Sequence, residues 1–352
     1  MDNNLSTKIS ITKNNNYEIK YLYSRSNELI GIGKIITITI NANNYGDKQV
    51  DLVSNPVIIF ELGETDLEFV PERIFSNIKF EIGGNRIDKI WMNHIIVLQK
   101  KLNLEVKKIG SKVFFPIPIY CLLKSNGIII SKCNHYQLRL WIEFTYEPCI
   151  GSIQDMCLRT DLVILQTKPV WKNVCESVLS ELLVNSIYSN KIKKYIETKP
   201  YGDFESKQII KIKQTQFTGM ESLNGQSDSI IKLHFNHDIE GFYIWFENSE
   251  DNIIYKEKSF DKISFIIDSV KVLELDYEDL VYNTLIINNN KGLGKGIYEI
   301  EWKNIINYDP TNFKIELKGL ALPNSNIYFN IHAESNNYLN YEDSKCETLF
   351  SN

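Results

Sequence analysis

The stretch Tyr136-Gln137-Leu138-Arg139-Leu140-Trp141-Ile142-Glu143-Phe144 decides the fold. Tyr136, Leu138, Leu140, Ile142 and Phe144 alternate with Gln137, Arg139, Trp141 and Glu143, and a period of two sends the two sets to opposite faces of an extended chain. This is a half-buried strand of a sheet. The same alternation recurs in Ile36/Ile38/Ile40, Ile231/Leu233/Phe235, Phe242/Ile244/Phe246, Phe313/Ile315/Leu317 and Ile327/Phe329/Ile331/Ala333. Turn formers punctuate the runs: Asn43-Asn44-Tyr45-Gly46, Gly83-Gly84-Asn85, Ser125-Asn126-Gly127 and Asn288-Asn289-Asn290. Many short strands at such spacing predict a sandwich or barrel.

Two segments break the period. Ile90, Trp91, His94, Ile95, Leu98 and Leu102 recur at helical steps, and so do Val174, Val178, Leu182, Leu183 and Ile187. The second predicted helix lies near the middle of the chain and is followed by the polar stretch Glu197-Thr198-Lys199-Pro200-Tyr201-Gly202-Asp203, which reads as a domain boundary. With 352 residues, the chain suits two domains. Phe75, Ile78, Phe80, Ile82 and Ile87 have counterparts in Phe260, Ile263, Phe265, Ile267 and Val272 at one constant offset, and the strand around Leu138 echoes that around Phe313. A duplication that makes two β-sandwiches of one kind accounts for both matches.

Composition narrows the function. Hydrophobic residues at 43% and charged residues at 24% describe a folded chain, and a net charge of −5 argues against wholesale binding of nucleic acid. The densest basic cluster, Lys191, Lys193 and Lys194 beside Lys199, reads as the charged end of a helix. Cys121, Cys133, Cys149, Cys157, Cys175 and Cys346 form no CxxC pair and read as free thiols in a reducing compartment. The polar start Met1-Asp2-Asn3-Asn4 resembles no signal or transit peptide, and the apolar stretch Val113 to Leu123 is too short to span a bilayer.

Chemistry-bearing groups are sparse. His234 and His237 are the close histidine pair, but three residues apart on a strand they point to opposite faces and cannot share a metal unless the strand ends between them; a strand end with a turn is the plainer reading. His135 has no second ligand near it in sequence. Gly292-Leu293-Gly294-Lys295-Gly296 lacks the spacing of a phosphate-binding loop and runs into another strand, Ile297-Tyr298-Glu299-Ile300. Tyr17, Tyr21 and Tyr23 with Lys20 have the makings of a stacking platform for single strands, yet their spacing is that of ordinary sheet residues. No catalytic, cofactor-binding or metal-ligating residue is assigned, and the expectation is a structural protein rather than an enzyme.

Three groups of segments, in order, carry a resemblance. Ile78-Lys79-Phe80-Glu81-Ile82-Gly83-Gly84-Asn85-Arg86-Ile87-Asp88 runs a strand into a Gly-Gly turn. Phe115-Pro116-Ile117-Pro118-Ile119-Tyr120 leads through Asn126-Gly127-Ile128 to Tyr136-Gln137-Leu138-Arg139-Leu140. Gln216-Phe217-Thr218-Gly219-Met220-Glu221-Ser222 precedes Lys232-Leu233-His234-Phe235-Asn236-His237 and Phe242-Tyr243-Ile244-Trp245. Taken together they resemble the double jelly-roll major capsid proteins of nucleocytoplasmic large DNA viruses, of the adenovirus-like capsid lineage. The family's usual N-terminal segment is not recognisable in residues 1–30, and the chain is shorter than most members from large viruses.

The resemblance implies an all-β fold of two tandem eight-stranded jelly-roll sandwiches joined by a short helical connector, divided as 1–171, 172–204 and 205–352. It implies a homotrimeric, pseudo-hexagonal capsomer of an icosahedral DNA virus shell, assembled in the host-cell cytoplasm and found in the virion capsid. Expected partners are further copies of the chain and neighbouring capsomers, minor capsid or penton proteins and an internal membrane, with no direct nucleic-acid contact and no cofactor. Alternatives are a poxvirus-like scaffold of immature virions, a minor capsid paralogue, or a two-sandwich carbohydrate-acting enzyme.

Overall fold

The computed structural model describes residues 17–41, 52–63, 69–123, 128–129, 137–165, 208–223, 225–235, 238–248, 253–254, 258–288, 293, 296–302, 312–321, 327–342 and 345–348. The second expected helix (Val174 to Ile187), the boundary stretch after it and the lysine cluster lie outside these residues. The described residues group into two compact units. One holds 17–165 with 208–214 and 337–348; the other holds 215–336.

The first unit begins β1 (Tyr17–Ser24), β2 (Ile35–Ile40), β3 (Leu52–Leu62), β4 (Phe75–Ile82), β5 (Asn85–Trp91) and α1 (Met92–Lys101). It continues β6 (Lys107–Ile109), β7 (Lys112–Pro116), β8 (Ile128–Ile129), β9 (Leu138–Phe144) and β10 (Ile153–Leu165). Next come β11 (Gln208–Ser222), β12 (Asp228–Lys232), β13 (Asp238–Glu247), β14 (Ile253–Ile254), β15 (Lys262–Ile267), β16 (Val270–Asp276) and α2 (Tyr277–Ile287). The chain closes with β17 (Ile297–Glu301), β18 (Phe313–Lys318), β19 (Tyr328–Glu342) and β20 (Lys345–Thr348).

One sheet of the first unit runs β1-β10-β3-β7-β6, with β8 also on β3, and the other runs β2-β9-β4-β5. The second unit repeats this plan: β11-β19-β13, with β17 and β14 on β13, faces β12-β18-β15-β16. Setting aside the short β6, β8, β14 and β20, the strands of each unit stand in the order 1-8-3-6 in one sheet and 2-7-4-5 in the other. That is the jelly-roll order, in which the first strand pairs with the last and few edges are left open.

The deciding stretch lies at the centre of this arrangement. β9 buries Leu138, Leu140, Ile142 and Phe144 between the sheets, with Ile142 opposite Ile36 on one side and Ile78 on the other. Its outward residues pair across strands: Trp141 donates to Glu81 at 2.7 Å, and Glu143 accepts from Asn77 at 2.6 Å. Phe75 centres the core of this unit, with the rings of Phe60, Phe115 and Phe144 5.4–5.7 Å away.

The internal offset extends further than the matched residues. Shifted by 185 (Phe75 to Phe260), β5 falls on β16 and the start of α1 on the start of α2. The structure also corrects the helix reading. Ile90 and Trp91 belong to β5, because pairing with Ile78 and Asn77 holds them extended, and α1 starts at Met92.

The Gly83-Gly84 hairpin turn has both central residues at positive φ (59° and 87°), as a type I′ turn requires. In the second roll Asp268 and Ser269 occupy the same turn at φ 48° and 68° without glycine's freedom. A left-handed residue with a Cβ costs about 1–2 kcal/mol, partly offset by glycine's larger entropy loss on folding. Ser269→Gly is therefore expected to stabilise the protein by about 0.5–1 kcal/mol, read as a higher urea midpoint with unchanged slope.

On the β15–β16 hairpin, Lys271 and the Ser264 hydroxyl donate to Glu274, and Lys262 lies 3.5 Å from its carboxylate. These donors hold the Glu274 carboxyl down at about 2, against an ordinary 4.5. Because the folded state favours the charged form, the group's contribution is complete above pH 4.5 and fades as pH falls towards 2. Glu274→Gln should thus unfold at lower urea than the wild type at neutral pH. The gap should be modest, since the group faces solvent, and should close near pH 2.

Candidate functional site

β13 sends Phe242, Ile244 and Phe246 into the sandwich core. Its other face, Tyr243, Trp245 and Glu247, is on an alternating strand the side expected to meet water, yet all three residues are at most 1% exposed. Register explains what meets there. Tyr243 stands opposite Glu299 of β17 and His332 of β19, Trp245 opposite Asn330, and Gly241 opposite Glu334.

These side chains form a connected polar layer. The Tyr243 hydroxyl lies 3.2 Å from Glu299 and makes a short hydrogen bond to Glu334. Trp245 Nε1 donates to Glu247 at 2.5 Å. The His332 ring is sandwiched between Trp245 and Phe217, with centroids 4.6 and 4.4 Å away and planes within 8° and 14°. α2 closes one side: the Asn288 amide donates to the second Glu299 oxygen at 2.9 Å, and Thr284 Oγ1 accepts from the Glu299 backbone N–H at 3.0 Å.

Paired carboxylates beside aromatic rings are what a carbohydrate-acting enzyme would need, so accessibility matters. Glu247, Glu299, His332 and Glu334 are each buried. A general acid or base must reach its substrate's proton directly or through one water, and here the carboxylates face protein donors while His332 is stacked between two rings. Buried carboxylates need partners to be tolerated at all, and here the partners come from neighbouring strands and a helix. The layer therefore constrains register and holds α2 against the sheet.

The candidates read from sequence fall elsewhere. His234 is exposed beyond the end of β12, while His135 and His237 lie outside the described residues. Tyr21 and Tyr23 project from the outward face of β1, about half exposed, and the Arg159 guanidinium sits 5.1 Å from the Tyr21 ring. Cys121, Cys149 and Cys157 are buried, and burial raises the thiols of Cys149 and Cys157 above their ordinary range. Of the glycine cluster, Leu293 and Gly296 are described; Gly296 takes φ 81° where the chain enters β17. Among the described residues no group of three His, Cys, Asp or Glu side chains is placed to hold a metal, and no helix is long and apolar enough to cross a membrane.

What the surface offers is apolar. Leu29, Ile32, Ile35 and Tyr146 are exposed near one another in the first unit, where Gly33 donates to the Thr145 carbonyl and lies under the Tyr146 ring. In the second unit, Val270 and Val272 of β16 and Tyr282, Leu285 and Ile286 of α2 are exposed. Apolar surface grouped this way marks contact with other macromolecules more often than chemistry.

Comparison with solved structures bears on the fold. The chain superposes on PBCV-1 VP54 with a TM-score of 0.67 at 12% identity, over 97% of this chain and 98% of VP54. It superposes on a chain of the PBCV-1 virus capsid quasi-atomic model with a TM-score of 0.66 at 12% identity, over 97% and 98% of the two chains. The protein is a double jelly roll. For the Faustovirus major capsid protein the TM-score is 0.60 at 9% identity, over 92% of this chain and 90% of that one. No family model and no curated protein matches the sequence.

Proposed function

We propose that this double jelly roll is a major capsid protein whose homotrimers form the pseudo-hexagonal capsomers of an icosahedral DNA virus shell. The observation that carries the reading is the full-length superposition on VP54 and the Faustovirus major capsid protein, with two sibling rolls in one chain. Two similar rolls give one chain two nearly equivalent outlines, so three chains about a threefold axis present six. A closed trimer uses a heterologous interface, in which two different surfaces meet. An obligate interface of this kind buries more than about 2,000 Å² in total.

The chain would then be divided into a roll over 1–171, a connector over 172–204 and a roll over 205–352. Its partners would be neighbouring capsomers, with minor capsid or penton proteins and an internal membrane at the shell's edges, and assembly would take place in the host-cell cytoplasm. A net charge of −5 supports a shell protein that leaves the genome to other components. The test is sedimentation of the purified chain together with mass spectrometry of purified particles. A trimer at micromolar concentration and high copy number in mature virions are expected. A stable monomer would overturn the capsomer, and absence from mature particles would replace the shell role with that of a transient scaffold.

A further inference from the structure

The passage β4-β5-α1 recurs as β15-β16-α2, yet the two copies end on different surfaces. In the first, Ile87, Asp88 and Ile90 of β5 are buried. Strand β20 lies against β5. The Gln214 amide donates to the Ile87 carbonyl and its oxygen accepts from Asn337 at 2.9 Å. Later segments of the chain thus cover this edge. In the second copy, Val272, the counterpart of Ile87, is 36% exposed against 0%. α2 also turns Tyr282, Leu285 and Ile286 outward at 64, 39 and 52%, whereas α1 has no large apolar residue so exposed.

Charge indicates what covers this second surface. Glu278 and Asp279, in the first turn of α2, stand three or four residues before Tyr282 on the same helix face, so the apolar stripe has an acidic margin. The first unit carries a surface of opposite kind. The β6–β7 hairpin presents Ile109, 66% exposed, between Lys107, Lys108 and Lys112, and α1, which precedes it in the chain, ends in Lys100 and Lys101. Glu105, 3.6 Å from Lys107, and Glu61, 3.9 Å from Lys112, offset part of this charge and leave the hairpin net positive.

The geometry points to a docking surface: the α2–β16 face of one chain seats the β6–β7 hairpin of a second copy. Ile109 meets the apolar stripe, and Lys107 and Lys108 meet Glu278 and Asp279. This rests on the capsomer reading and names the surface that builds it. The two faces are different, so the contact is heterologous, the kind that a threefold rotation closes into a ring. The acidic margin of the stripe and the basic hairpin also set the direction of docking, since like charges repel.

Sedimentation of full-length variants, with circular dichroism to confirm folding, tests this. Tyr282→Lys with Ile286→Lys is expected to weaken trimer formation by at least about 30-fold, the effect of losing one central anchor. Glu278→Lys with Asp279→Lys should weaken it about 10-fold, and adding Lys107→Glu with Lys108→Glu to the same chain should restore it. Should the lysine pair in the stripe fail to fold, the charge-reversal set decides alone. A trimeric wild type whose charge-reversed forms assemble unchanged, or stay weakened after the compensating change, would overturn this surface and leave the capsomer intact. A monomeric wild type would remove the capsomer and this surface together.

Discussion

Phe242→Ala should lower the stability of the second roll by about 4 kcal/mol, the middle of the range for deleting a buried aromatic ring. Phe242 is fully buried near the middle of β13, the strand that pairs with both β17 and β19. Its ring centroid lies 5.8 Å from Phe235, 5.3 Å from Phe265, 5.1 Å from Trp302 and 5.6 Å from Phe313. The β15–β18 ladder holds Phe265 and Phe313, and the Trp302 N–H donates to the Glu240 carbonyl, so the wall cannot collapse into the space. The cavity term then adds to the lost transfer energy. Urea unfolding followed by tryptophan fluorescence and circular dichroism reads the effect. Leu29→Ala, at an 80% exposed position, serves as the control and should stay within about 0.5 kcal/mol of wild type. A loss for Phe242→Ala no larger than that would mean the four rings do not enclose it.

The parts of this fold that are local were legible in the sequence. β9 is a strand because its own residues alternate, and the Gly83-Gly84 turn is a hairpin because two adjacent residues must take positive φ. The repeat was legible too, and it held the signal for an element that periodicity missed. Tyr277-Glu278-Asp279-Leu280-Val281-Tyr282 has a poor helical stripe, because its outward apolar residues blur the face. The offset from α1, the acidic first turn and Asp276 at the cap position mark the helix. Strand order was out of reach of local pattern. Tyr17 pairs with Leu165 across most of the first unit, and nothing in either strand names the other. That order came from the family resemblance. The polar layer was illegible for a related reason: alternation separates the faces of β13 but does not say what covers the outer one. Tyr243, Trp245 and Glu247 therefore read as a solvated side. Only the cross-strand register, which sets Tyr243 against Glu299 and His332, reveals a closed network.

That network predicts a large effect from a single oxygen atom. Tyr243→Phe keeps the ring and its packing but removes the hydroxyl between Glu334 and Glu299. A hydroxyl carries one proton, so Tyr243 donates to one of the two carboxylates at a time. Glu299 keeps Asn288 Nδ2 on its other oxygen, and the variant leaves the buried pair of carboxylates one donor short. Leaving a buried acceptor short of a donor costs about 1–3 kcal/mol, with charged acceptors towards the upper end. The expected loss is therefore about 2 kcal/mol in urea unfolding. The companion variant separates this cause from general disturbance of the sheet. Glu334→Leu removes the acceptor along with its need, so the double variant Tyr243→Phe/Glu334→Leu should lose less than the two single losses added together. Strict additivity would mean that the two side chains do not act as a pair, and that packing alone holds the outer face of β13 closed.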